Sequence, residues 1–571
     1  MLLSFFRMVQ RTRIFVAREK RFHRKGAAHR NIFNMMNKRK MIIRTGVLLF
    51  FIGFGIFANA REYNVHDFGA VSDTTVVSTK AIQQAIDQCS VEGGVVIIPR
   101  GNFKTGTIYL KSNVTLHLEN GAIIYGSKYL SDYPENNPDF VFYRRGILKR
   151  ALFYAENCTN IAIEGEGTFD GQGGAFWIPE GVKVESYSVR PYIFWMIQCS
   201  DIRVEGIKLR NSAFWMQHYM ACDNLIVHNI DVFNHSNKNN DMIDIDGCHN
   251  VRISDCTGDS DDDGITLKST TGRANENIVI TNCILSSHCN AIKMGTESST
   301  GFKNIAISNI VVRPSKISDK SINGTPKGLA GIALETVDGG FIDGVVISNI
   351  RIDGSECPIF IRRGNRARPW FAGQKIDESG ELKNVSISNV VATGAGKTGC
   401  SISGIPGFPV ENISLNYISI EFAGGGTAEN INREIPEEEK AYPEFDMFGD
   451  LPAYGFYIRH AKNFRFDNVV LKTFVPDERP AMFVSDVSNS RFTGIIPDNG
   501  GTPESLVTAE KSKNLVFSGC SGFGEALSFL KLKEAGDGKI WLQNNVVPGA
   551  KQLFIPENAG KNVMTEQTKK Q

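Results

Sequence analysis

From Asn113 onward one short phrase recurs along the chain. An Asn or Asp comes first, then apolar residues at alternating positions, then Asn, Asp or Gly. It reads NVTLHLENG from Asn113, NIAIEGEG from Asn160, DIRVEGIKL from Asp201, NLIVHNIDV from Asn224 and NVRISDC from Asn250. Further copies are NIVITNCIL from Asn277, NIAISNIVV from Asn304, VVISNIRI from Val345 and NVSISNVV from Asn384. NISLNYISI from Asn412, NFRFDNVVL from Asn463 and NLVFSGCSG from Asn514 complete the series. Alternation with a period of two is the mark of a half-buried strand, and the Asn, Asp and Gly positions are bends. The copies lie roughly 23 to 51 residues apart, most tightly in the middle of the chain. A single unit of this size cannot bury its own apolar side, so the units must stack. The pattern predicts an all-β fold, a right-handed parallel β-helix with coils about 4.8 Å apart. A propeller is the alternative, but its blades need about four strands per repeat, and these intervals mostly hold two or three.

A stack of coils needs closed ends. Ser78 to Cys89, STKAIQQAIDQC, places Ile82, Ala85 and Ile86 at helical spacing behind a candidate N-cap, Ser78. It is the expected N-terminal capping helix. Asn430 to Pro452, rich in Glu and Pro, interrupts the repeat and is expected to be a long loop. Residues 548–571 are expected to be a polar C-terminal tail, leaving 61–547 as the β-helix. Before it, Lys38-Arg39-Lys40 precedes the apolar run VLLFFIGFGIFANA, which ends at Ala58-Asn59-Ala60. That order matches a basic leader and secretory signal peptide over residues 1–60. The run is too short to span a bilayer comfortably. The mature chain is therefore expected to begin near Arg61, to be secreted or periplasmic, and to lack a membrane span.

Composition narrows the partners. The 571 residues carry a net charge of +2, which argues against a nucleic-acid partner. The 11 cysteines form no CxxC pair, so neither a zinc site nor a disulfide framework is expected. Cys222, Cys248, Cys256 and Cys283 lie in or beside strands and read as small buried hydrophobes. No cofactor is implied.

The chemistry concentrates between Asn239 and Ser269. This stretch holds eight aspartates: Asp241, Asp244, Asp246, Asp255, Asp259, Asp261, Asp262 and Asp263. Apolar residues at strand spacing run between them, so the acids sit on strands and turns rather than on an acidic tail. Asp241 and the Asp262–Asp263 pair lie about one repeat apart, and stacking would bring the three together. The run Asp259-Ser260-Asp261-Asp262-Asp263-Gly264 resembles the start of a calcium loop, but the glutamate required at its twelfth position is replaced by Thr270. Asp255 and Asp259 suit the role of polar caps. Adjacent carboxylates raise one another's pKa, and function is the usual reason to accept that cost. Crowding of this kind can supply a protonated and an ionised carboxyl at one pH.

The chain resembles glycoside hydrolase family 28, the polygalacturonases and their relatives. The likeness begins at YNVHDFGAVSDTTVVSTKAIQQAID and GGVVIIPRGNFKTGTIYLKSNVTLHLENGAIIYGS and extends to about Asn389. The family's Asn-Thr-Asp-Gly-x-Asp is matched by Asn239-Asn240-Asp241-Met242-Ile243-Asp244. Its Gly-Asp-Asp-x-Ile-x-Ile is matched by Asp261-Asp262-Asp263-Gly264-Ile265-Thr266-Leu267. The resemblance implies a pectin-lyase-like solenoid and hydrolysis with inversion of a pectic or related polysaccharide. It also implies Asp262 as general acid, with Asp241 and Asp263 activating water.

Two motifs depart from the family. Its Gly-His-Gly falls at Cys289-Asn290-Ala291, and the nearby His288, two places off, is expected at the surface. Its Arg-Ile-Lys, which grips a substrate carboxylate, falls at Ala333-Leu334-Glu335. A charged Glu335 would repel a uronate, so the sugar at the cleavage point is either neutral or held by other cations. Lys268, Lys293, Arg362, Arg363 and Arg366 are the candidates, the last three within the run PIFIRRGNRAR. Asn239, Asn290 and Glu335 complete the polar substrate-binding set. Trp215 and His218, which precede the coil bearing Asp241, are the expected ring platform for the sugar. A polysaccharide lyase and a non-catalytic glycan-binding β-helix remain the alternative functions.

Overall fold

The computed structural model describes residues 61–178, 185–376, 378–556 and 560–569. The leader expected over residues 1–60 lies outside the described residues. Every pairing between named strands is parallel, and each strand pairs with its counterpart one coil on. This is the stacked-coil architecture that the recurring phrase predicts, rather than a propeller. One ladder runs through Tyr192–Ile197, Gln217–Met220, Ile243–Asp246, Ile265–Ser269, Asn290–Ser298, Gly328–Thr336 and Ser355–Arg363. It carries the candidate site.

Parallel stacking puts like residues over like. Inward positions form a continuous apolar column in which Ile243, Ile265, Ile292, Ile332 and Ile359 are all buried. All 11 cysteines are unpaired thiols, and Cys222, Cys248, Cys256 and Cys283 are buried in this core. Helix Thr79–Glu92 turns Ala81, Ile82, Ala85, Ile86 and Cys89 inward at the N-terminal end. Ser78 precedes it but makes no side-chain cap; its hydroxyl accepts from the Val71 N–H at 3.1 Å.

The asparagines that lead each repeat have a specific conformational job. Asn224, Asn250, Asn277 and Asn304 have φ between 54° and 60°, the left-handed region that Asn tolerates better than other side chains. Their carboxamides bond from coil to coil: Asn250 Nδ2 to Asn224 Oδ1 (3.2 Å), Asn277 to Asn250 (3.2 Å) and Asn304 to Asn277 (3.3 Å). A second ladder climbs another corner through Asp255, Asn282, Asn309, Asn349 and Asn389.

One expectation is corrected. The region 548–571 is not simply a tail: Ala550–Ile555 pairs with Ala526–Ala535, and Val563–Glu566 pairs with Ile540–Gln543. The sequence there is polar because few of these side chains face inward, yet the backbone continues the ladder. The Asn430–Pro452 interruption is the expected long loop, entered from the short helix Ala428–Ile431, and it buries Ile435, Phe448 and Leu451 in a satellite core with Tyr457 and Phe483. Among the described residues no helix is long and apolar enough to cross a membrane.

The ladder gives a graded prediction. Asn250→Ala removes two carboxamide bonds and forces alanine into the left-handed region, whereas Asn250→Gly removes only the bonds. The alanine variant should be less stable than the glycine variant by about 1 to 2 kcal/mol. Denaturant titration of the pair checks this, and equal stabilities would count against the ladder's conformational role.

Candidate active site

The outward face of the central ladder is where the polar residues collect. Period-two alternation turns Asp244, Asp246, Thr266, Lys268, Lys293, Ala333, Glu335 and Arg362 away from the core, and register stacks them: Asp246 beside Lys268, Thr266 beside Lys293, Lys293 beside Ala333, Glu335 beside Arg362. This face is not open to water along its length. The Tyr143 N–H donates to the Thr270 carbonyl at 2.8 Å, which lays one loop over it. The 425–453 excursion lies over another part through Glu444.

Two lysines divide the acids into two groups. Lys268 Nζ stands 3.4 Å from Asp241 Oδ2, 3.3 Å from Asp244 Oδ1 and 3.9 Å from Glu297 Oε2. Its ammonium also lies 4.5 Å from the centre of the Trp215 ring. Lys293 Nζ is 3.2 Å from Asp263 Oδ2 and 3.4 Å from Glu444 Oε1. Asn290 donates its side-chain amide to Asp263 Oδ1 at 2.9 Å and its backbone N–H to the same oxygen at 3.2 Å. Asp262, on the same turn, accepts from Asn239 Nδ2 at 3.2 Å, and Arg190 donates to Asn239 Oδ1 at 3.1 Å.

These surroundings push the carboxyls apart. Burial, reinforced by the neighbouring Asp263 charge, raises Asp262 to about 6. Burial opposes ionisation of Asp263 as well, but the Lys293 and Lys268 ammoniums and the Asn290 amide outweigh it and bring its pKa below the usual value. Asp241 is raised well above the carboxylate range by burial and by Asp244 and Asp262; burial raises Asp244 to about 7 against the pull of Lys268. Of the three aspartates of the sequence motif, Asp262 is the most accessible, while Asp241 and Asp263 are 2% and 3% exposed.

Several expected contacts fall elsewhere. His218 is fully buried, with Nε2 3.2 Å from Asp246 Oδ2, and Trp215 is 6% exposed against it. Neither presents a ring face to a sugar; together they wall in Lys268 and Asp246. Arg362, also buried, donates to Ser403 Oγ and to the carbonyls of Gly404, Glu437 and Glu438, so it fastens the 425–453 excursion instead of meeting solvent. Arg363 is similarly spent on Ser379 and the Pro409 carbonyl, and Arg366 on Asp338 and Thr296. The PIFIRRGNRAR run is thus a set of internal ties. His288 is buried, not superficial, and bonds the Ile317 carbonyl at 2.8 Å.

Glu335 changes meaning most. It is fully buried with neither oxygen hydrogen-bonded, and burial raises its pKa well above the glutamate range despite Lys293 nearby. The site therefore holds a neutral acid there, and the expected repulsion of a uronate disappears.

Glu444, Tyr442, Glu297 and Arg190 had no sequence signal: Glu444, Tyr442 and Arg190 lie outside the strands, and Glu297 lies on the strand one coil on from Lys268. Glu444 bridges Asn290 and Lys293, and Tyr442 sets its ring 5.9 Å from Lys293 Nζ and 5.5 Å from the Arg366 guanidinium carbon.

Comparison with known proteins gives the family. The model of Glycosyl hydrolases family 28 matches residues 92–439. A probable polygalacturonase of Vitis vinifera is 32% identical over 277 residues, 45% of this chain and 56% of that protein. An exo-poly-alpha-D-galacturonosidase of Dickeya chrysanthemi is 37% identical over 120 residues, 20% of each chain. The chain thus spans about half, or less, of the length of these two relatives. An exopolygalacturonase structure from Thermotoga maritima superposes with a TM-score of 0.56 at 23% identity, over 72% of this chain and 91% of that one, and shares the fold. Since the family match runs through most of the chain and includes the whole aspartate stretch, the protein belongs to glycosyl hydrolases family 28.

Proposed function

We propose that the protein is a glycoside hydrolase that cleaves a pectic polysaccharide by an inverting acid/base mechanism. The observation that carries this reading is the split between neighbours: Asp262 raised to about 6 and Asp263 held below the ordinary aspartate value. One turn of chain then offers a proton donor and a proton acceptor at the same pH. Asp262 gives its proton to the glycosidic oxygen as the bond to the anomeric carbon breaks. Asp263, ionised beside Lys293, takes a proton from water, which attacks that carbon from the opposite face. Asp241, which burial keeps protonated, orients that water beside Lys268. The basic leader and the Ala58-Asn59-Ala60 ending support export of the chain to where polymeric pectin is found.

The substrate follows from how the cations are committed. Ala333 and the neutral Glu335 replace the expected gripping pair. Lys268 and Lys293 already serve Asp241, Asp244, Asp263, Glu297 and Glu444, and Arg366 serves Asp338. A uronate carboxylate at the cleavage point would have to compete with these acids. A pectic chain with a neutral or branched residue at that point avoids the competition.

Three measurements test the reading. Asp262→Asn should lower kcat by about 100- to 10,000-fold, with KM little changed. In the parent, kcat should fall as pH rises through about 6, because the acid must carry its proton. An active Asp262→Asn enzyme, or a rate flat to pH 8, would remove Asp262 from the acid role. Initial rates on polygalacturonate should be lower than on rhamnogalacturonan or branched pectin, and the reverse order would overturn the argument from the cations. Glu335 should leave its mark on stability. Its folded pKa is raised, so the folded state keeps a proton that the unfolded chain releases above the ordinary glutamate pKa. Stability is therefore lost as pH rises from there, by about 1.4 kcal/mol per pH unit from this group. Glu335→Gln should fall less steeply between pH 5 and 7 in denaturant titrations, and parallel slopes would show that Glu335 is ionised in the folded state as well as the unfolded one.

A further inference from the structure

Beside the proposed acid lies a second cluster that the hydrolytic reading does not use. Three residues each stand one position past a strand end on three successive coils. Asn234 pairs with Ser260 and Ser260 with Ser287, which brings His235, Asp261 and His288 into line. Backbone bonds secure the stack: Asp261 N–H to the Asn234 carbonyl (2.9 Å) and His288 N–H to the Ser260 carbonyl (3.2 Å). One donor atom from each of the three side chains lies within 4.8 Å of the other two, and His288 Nδ1 is 3.8 Å from Asp261 Oδ1.

The hydrogen bonds around the cluster define its chemistry. His288 Nε2 meets the Ile317 carbonyl at 2.8 Å, and His235 Nε2 meets Asp259 Oδ1 at 2.9 Å. Both acceptors can only receive, so each ring carries its proton on Nε2. In the neutral rings Nδ1 then holds a lone pair, and both Nδ1 atoms are buried without a hydrogen-bond partner. An imidazole whose second nitrogen donates to a carboxylate or backbone carbonyl is the arrangement that orients metal-ligating histidines. Asp259 is itself held by Ser315 Oγ (2.7 Å) and the Lys316 N–H (2.9 Å). The Lys320 ammonium ion-pairs with Asp261, and its side chain is 32% exposed.

We propose that His235, Asp261 and His288 form a binding site for a divalent transition-metal ion of the zinc class, and that Lys320 occupies its mouth when no ion is bound. Two imidazoles and a carboxylate suit such an ion, with water in a fourth position. Ligands about 2.1 Å from a tetrahedral zinc ion lie about 3.4 Å apart, so donor atoms now within 4.8 Å of one another would draw together by up to about 1.4 Å on binding. This nitrogen-containing set is distinct from the calcium loop that the Asp259–Gly264 spacing suggested. The ion would tie the loop carrying Ser315, Ile317 and Lys320 to the coil that carries Asp262. Its role is positional, not catalytic.

The test uses the full chain after chelator treatment and dialysis. Calorimetric titration with Zn2+ should give one saturable site per chain, and Lys320→Ala should bind tighter, on the order of tenfold, because a competing cation is gone. His235→Ala/His288→Ala should lose the site while its far-ultraviolet circular dichroism stays that of the parent. Should that variant fail to fold, Co2+ added to the parent and to Lys320→Ala decides the matter, since visible ligand-field bands report nitrogen and oxygen ligation directly. Binding by Lys320→Ala alone would also support the site. Absence of saturable binding in both the parent and Lys320→Ala, or undiminished binding by the folded double variant, would overturn it.

Discussion

The coil-to-coil register is the constraint on which the rest of the molecule depends. A parallel stack transmits a register error through every later coil, and a slip of one residue would exchange the buried and outward faces. Two features oppose such a slip. The isoleucine column accepts only apolar side chains at inward positions, and the carboxamide ladders join left-handed asparagines at matching corners. Because that register holds, residues 22 to 27 positions apart in the chain meet side by side, as Ile243 does with Ile265 and Ile265 with Ile292. The site is a consequence of this stacking: Lys268 reaches Asp244 because their strands are neighbours, not because their sequence positions are close.

Stacking acids in this way creates an electrostatic problem that the same face resolves. Several carboxyls in one poorly solvated region cannot all ionise. Lys268 and Lys293 compensate part of the charge, and protons compensate the remainder at Asp241, Asp244 and Glu335. Asp263, with a lysine and an amide donor, stays ionised; Asp262, with only amide contact and some solvent, titrates near neutrality. The difference between two adjacent residues in sequence therefore comes from their partners on other coils. Breaking a buried pair on one side exposes the other to an uncompensated charge, which ties stability and chemistry together at this face.

The excursion near residue 440 shows how a solenoid acquires individuality. The coils alone would leave an extended polar face, much as any parallel stack does. The segment between Gly424 and Phe456 has its own small apolar core, is fastened by Arg362, and delivers Glu444 to Lys293 and Asn290. Glu444 meets Asn290 from a segment 154 residues away.

Much of this was legible in the chain itself. The Asn-led phrase with alternating apolar residues dictates strands, bends and stacking, because neither a strand's two-residue period nor an asparagine's tolerance of left-handed backbone depends on distant context. The clustering of Asp241, Asp262 and Asp263 followed from their one-repeat interval. What lay beyond the sequence was the environment of each group. Glu335 read as a charge, but burial without a hydrogen-bond partner makes it neutral. Arg362 and His218 read as substrate contacts, but partners from other coils consume them. His288 read as a surface residue, yet its coil position aligns it with His235 and Asp261. Local periodicity fixes which way a side chain points; only the packed structure decides which distant groups, and how much water, it meets there.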